Sequence, residues 1–217
     1  WGADDGSWGM EVYAVNGFQG GNAIDGYNIS TSSGIRSARP SLKTNGGDRP
    51  PSIVGRFSYS PVLGTEIGFS AWSGPWDDAG ELDLTISVFD ITTDLGSYVE
   101  ALGSTTVNFE LGNVSIDRDA DAIAGGVPDE LGATSIEVSR RFFPDMLNKM
   151  FGEDASCALT VRWEEQDLSA AVSNRMTYGF NVRPTDETVI KFDFEQESTE
   201  GEEDPDGTFI MSVATYF

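Results

Sequence analysis

Charged side chains at alternate positions of apolar segments are where this chain has chemistry to offer. Arg56, Glu66, Glu110, Glu137, Arg162, Glu164, Arg183, Lys191, Asp193 and Glu195 lie inside such segments instead of at their ends. At period two, these residues share one face of a strand and their apolar neighbours share the other. Carboxylates and guanidiniums collected on one wetted face select ions and polar solutes by charge. The plainer alternative is that they pair across neighbouring strands and merely fill an interior.

Covalent chemistry has little to work with. The chain contains no His, which removes the usual general base of Ser and Asp constellations. Among 36 Asp and Glu residues, no carboxylate pair stands out as a glycoside-cleaving couple. Cys157 is the single cysteine, so neither a disulfide framework nor a thiol-rich metal site is expected. Phosphate-cradling Gly loops and zinc clusters are missing too, and the reading is of a chain that is not an enzyme and needs no cofactor. Asp117, Asp119 and Asp121 have the odd-position spacing of a calcium loop. The Gly that should follow is lacking, and Pro128 falls where a bidentate Glu is needed. A solvated acidic loop is the better account of them, as it is of the acidic run 195–206.

Composition bounds the class. A chain of 217 residues fits one domain, here residues 1–217. Its formal charge of −23 argues against nucleic acid and anionic lipid as partners. No apolar run approaches the roughly 18 residues of a spanning helix. The chain opens on Trp1 instead of Met and shows no signal peptide, the expected appearance of a mature form or a fragment.

The elements that must carry the charges are strands. Apolar and polar residues alternate over 188–197, 175–183, 157–166, 133–143, 105–112, 82–89, 65–73 and 52–60, less cleanly over 9–17, and again in the C-terminal segment. Ten antiparallel strands are therefore predicted. On 82–89 the outward set is read as Leu82, Leu84, Ile86 and Val88. On 9–17, Val12 and Tyr13 compete for that face. Arg140 falls by parity among apolar residues, beside Phe142 and Pro144. Connections 18–51, 113–132 and 198–206 are long and polar, whereas 60–64 and 184–187 are tight. Segments 91–104 and 144–155 are longer than the tight set.

Phe209, Met211, Val213 and Phe217 share one face of the last segment, with only Thr215 interrupting. A chain stopping mid-strand on an aromatic leaves an edge that must pair, as in a closed barrel. The fold expected is an all-β, antiparallel transmembrane β-barrel, with its apolar face toward lipid and its charged face toward water. Trp72, Trp76, Trp163, Tyr59 and Phe142 near strand ends then read as an interfacial girdle, in preference to a sugar-stacking platform. The competing fold is a secreted soluble β-sandwich or β-solenoid that binds glycans or calcium through acidic loops.

The sequence resembles the phosphate- and polyphosphate-selective porin family of Gram-negative outer membranes. The match is carried by Val15-Asn-Gly17, Val54-Gly-Arg56 with Tyr59-Ser-Pro61, and Ser135-Ile-Glu-Val-Ser-Arg-Arg-Phe-Phe-Pro144. Val161-Arg-Trp-Glu164, Thr177-Tyr-Gly-Phe-Asn-Val-Arg-Pro184 and Val189-Ile-Lys-Phe-Asp193 continue it in family order. The resemblance implies a passive, water-filled, sixteen-stranded channel in the outer membrane, usually trimeric. This chain would be its C-terminal portion, or else a smaller ten-stranded barrel. Outer-membrane lipid, lipopolysaccharide, the assembly machinery that reads the terminal strand, and small solutes or ions are the partners implied. The family's pore relies on basic residues, and here 13 Lys and Arg face 36 Asp and Glu. Weak cation preference is therefore expected.

Overall fold

The structure, a computed structural model, describes residues 1–3, 7–39, 51–152, 155–185, 187–200 and 206–215. Ten long strands form one antiparallel sheet: β1 (Trp8–Val15), β4 (Ser52–Val62), β5 (Thr65–Pro75), β6 (Asp83–Asp94), β7 (Thr105–Ile116), β8 (Glu130–Phe142), β9 (Ser156–Asp167), β10 (Val172–Thr185), β11 (Thr188–Thr199) and β12 (Asp206–Thr215). Each pairs with the next along the chain, and the short hairpin β2 (Gly21–Asn22) and β3 (Gly26–Tyr27) stands apart. Every segment predicted by alternation is a strand, and most run several residues longer. Tight turns set the register of such a meander. Between β4 and β5 the turn is Leu63-Gly64, where Gly64 at φ +87° takes a conformation that a Cβ would disfavour.

Two connections read as overlong contain structure of their own. Residues 95–104 fold into two 3-10 turns, and α1 and α2 are the short helices Ala120–Ala124 and Asp145–Phe151, with α2 joining β8 to β9. The acidic connection 117–129 holds α1. Its Asp119 carboxylate accepts from the Ala122 N–H at 2.8 Å and caps that helix. Of the three aspartates at calcium-loop spacing, Asp119 thus serves as a cap. Among the described residues no group of three or more Asp, Glu, His or Cys is placed to hold a metal.

The sheet is open. β1 and β12 are its two ends and do not pair with each other. β12 lies antiparallel on β11 from Glu197↔Asp206 to Thr188↔Thr215. Phe217 lies outside the described residues. No helix among the described residues is long and apolar enough to cross a membrane, which says nothing of a β-barrel.

The buried core lies at the end of the sheet where β5 meets β6 and β7 meets β8. Trp76, Leu84, Ile29, Ile116, Val127 and Leu131 form its centre, with Trp72, Ile86 and Val114 packed against it. Two sequence expectations fail here. Trp76 is 0% exposed, and its indole N–H donates to the Asp117 carbonyl at 3.0 Å. Trp72 meets Phe18 edge-on with ring centroids 4.7 Å apart. Neither is an interfacial aromatic; both fasten the 18–39 segment over the sheet end. The second failure is the face of β6. Phe69↔Phe89 pairing puts Phe89 on the apolar face, which sends Leu84, Ile86 and Val88 to the face that carries Asp90. An apolar run on both faces hides its parity, and packing against the loop core decides it.

Candidate functional site

Register assigns each strand's two faces. Phe57, Phe69, Phe89 and Leu111 are partners in series across β4 to β7. Val107, Val138, Val161, Tyr178, Phe194 and Phe209 make a second row from β7 to β12. Phe69 is 50% exposed, Leu159 54%, and Phe209, Met211 and Val213 60% or more. Ile67 and Phe109, and Phe180 and Phe192, lie on the same face in further rows. Val12 joins them opposite Gly55, and Tyr13 takes the other face with Glu11. Arg140 sits on the apolar face as parity predicted, paired in register with Leu159, its guanidinium 5.5 Å from the Phe142 ring.

The opposite face gathers all ten residues singled out as a charged lining. Glu66, Thr92, Asn108, Glu137, Arg162, Thr177 and Glu195 form one row across seven strands. A neighbouring row holds Asp90, Glu110, Ser135, Glu164, Arg175 and Glu197. Arg56 lies to one side of these rows, and Asp193, Lys191 and Arg183 to the other.

One ion pair on this face skips a strand. The Arg56 guanidinium reaches over β5 to grip Asp90 of β6 through both nitrogens, at 2.5 and 2.9 Å, and also meets Glu66 at 3.1 Å. Gly68 of β5 lies beneath, and a Cβ there would run into both the Asp90 carboxylate and the Arg56 guanidinium. Arg162 pairs with Glu164 at 2.8 Å, and Arg175 with Glu197 at 2.9 Å. The bidentate Arg56–Asp90 pair holds a fixed geometry, and the three pairs order part of this face. Cavities of about 290 and 230 Å³ lie among them, the first bounded by Arg56, Asp90, Glu110 and Arg162.

Three contributors were missed in the sequence. Asp90 was lost with the wrong parity of β6. Arg175 and Glu197 belong to clean alternating segments, but nothing in the sequence marks them as a pair until β10 and β11 are set in register. Gly68, a Gly inside a strand pattern, is compatible with a close approach, but its partners follow only from the register.

The 18–39 loops are held by polar groups as well as by Trp76. Gly20 N–H donates to the Trp76 carbonyl at 2.7 Å, and a Cβ on Gly20 would collide with the indole. Asn22 donates to Asp25 and Asp78, at 3.1 and 2.9 Å. The Asp77 carboxylate accepts from the backbone of Ala79, Glu81 and Leu82 and shapes the β5–β6 connection. Tyr27, tilted against Trp76 with centroids 5.8 Å apart, has its phenol held above the ordinary range by partial burial, then by the nearby Asp119, Asp121 and Asp77 charges.

No known protein family, characterised protein or solved structure gives a significant match to this chain.

Proposed function

We propose that this sheet is the wall of an outer-membrane β-barrel that passes small hydrophilic solutes and ions by diffusion. One observation carries the reading: an apolar face exposed along successive strands, backed by an ordered charged face on the same strands. A soluble protein that exposes a contiguous apolar surface this wide would aggregate or bind a partner. In a β-sandwich a second layer covers that face. Among the described residues none does, because the long strands all belong to one sheet and the loop core packs on the charged side. Strands of 10–14 residues from β4 to β12 suit a tilted crossing, which takes about 9–11. In this reading the open edges of β1 and β12 close a barrel, and the charged face lines its water.

The test is folding and conductance. The purified chain should need detergent to stay in solution, migrate faster on an SDS gel unheated than boiled, and open ohmic channels in a planar bilayer. A monomer soluble without detergent, with no heat-dependent mobility, would place the chain in the soluble β-sandwich class.

A further inference from the structure

The smaller cavity on the charged face has polar groups that its own walls leave unsatisfied. It measures about 230 Å³ and spans β8 to β11. Thr177 and Asn181 of β10 line it, with Gly179 between them in the strand. Thr177 is only 8% exposed, and its hydroxyl has no hydrogen-bond partner among the described residues. The same holds for Asn181 Oδ1 and for Arg162 Nε at the cavity edge. A buried polar atom left unpaired costs about 1–3 kcal/mol, and native proteins keep few of them. Three around one cavity mark a place where a bound molecule supplies the missing partners. Gly179 makes room for the Asp193 carboxylate at the cavity edge: a Cβ there would lie 2.7 Å from Asp193 Oδ1.

The charges around the cavity select the class of molecule. Arg162 and Glu195 flank Thr177 in register from β9 and β11, yet Arg162 forms its ion pair with Glu164. Lys191 and Asp193 register beside Asn181 and Gly179. A simple anion would meet the carboxylates of Asp193 and Glu195, and a simple cation would meet Arg162 and Lys191. A divalent metal has no cluster of three ligands here among the described residues. A solute carrying both charges satisfies both sides, and a cavity below the ~300–1,000 Å³ of drug-sized sites admits a small one.

We infer that this cavity binds a small zwitterion, of the class of the free α-amino acids with short side chains. The solute carboxylate lies toward Arg162 and the Thr177 hydroxyl, and its ammonium lies toward Asp193 and Glu195. The inference rests on the channel reading for the access of solutes to this face.

Isothermal titration of the folded chain in detergent with glycine, acetate and ethylammonium, at matched ionic strength, tests it. Saturable glycine binding is expected, with acetate and ethylammonium each at least about tenfold weaker, the worth of one lost charge-assisted bond. Arg162→Gln and Asp193→Asn should each weaken glycine by a similar factor. Thr177→Val, which preserves shape, should weaken it about threefold to tenfold, the net worth of one hydrogen bond. No saturable heat with glycine, or equal binding of the three probes, overturns the site. Bilayer conductance of the same preparation is read separately. Channels without glycine binding reject the site alone, whereas glycine binding without channels rejects the channel reading.

Discussion

Arg56 shows how much of a site depends on a residue that carries no chemistry. Its reach to Asp90 crosses β5 only because position 68 has no side chain. Gly68→Ala and Asp90→Asn should therefore each remove the same contact, at a cost of about 1 kcal/mol for a pair that is partly exposed on the Arg side. The double variant should be little worse than the harsher single one, a coupling that urea titrations of the four proteins would measure. Additive losses would mean that Gly68 matters for backbone reasons alone. That the ten charged residues share one face was legible, because parity inside a clean strand fixes a face whatever the partner strand. Gly68 and Asp90 were not, because a contact that skips a strand exists only after the register is known.

The strands were legible as elements for the same reason, and β6 shows where that reasoning stops. Leu84, Ile86 and Val88 satisfy the apolar template as well as Phe89 does, so alternation has two solutions there. Burial of Leu84 under Trp76 and Ile116 selects one. The loop core was illegible because Ile29, Ala38, Trp76, Ala122 and Val127 come from connections with no periodicity, and Leu84 from a strand whose parity was read the other way. Trp76→Ala should cost about 3–5 kcal/mol, the range of a buried aromatic truncated in place. Limited proteolysis should then cut within 18–39 before the strands are lost. Tyr27 adds a pH test. Its phenol is raised in the folded state, so its contribution is intact below the ordinary value near 10 and is lost as pH rises through the raised one. Tyr27→Phe should flatten the alkaline limb of the melting profile, and an unchanged limb would locate that loss of stability elsewhere.

At the scale of the whole molecule, in the channel proposed above, the faces decide what crosses. Low-dielectric walls concentrate the field of lining charges, so their sign biases which ions enter a narrow aqueous pore. The lining singled out in the sequence is acidic in balance: Glu66, Glu110, Glu137, Glu164, Asp193 and Glu195 against Arg56, Arg162, Arg183 and Lys191. Adding Asp90 and Glu197 on one side, and Arg141 and Arg175 on the other, keeps that sign. Pairing weakens it, since Arg56 and Asp90 cancel at close range, as do Arg162 with Glu164 and Arg175 with Glu197. The remaining bias is modest, and salt screens what lies beyond about 8–10 Å. Reversal potentials under a KCl gradient should therefore show K⁺ favoured over Cl⁻ by a small factor that shrinks as ionic strength rises. Glu110→Gln with Glu137→Gln, which removes two carboxylates without breaking a described ion pair, should lower that preference further. Preference for Cl⁻ or phosphate in the unaltered protein would mean that charges outside the described strands set the field.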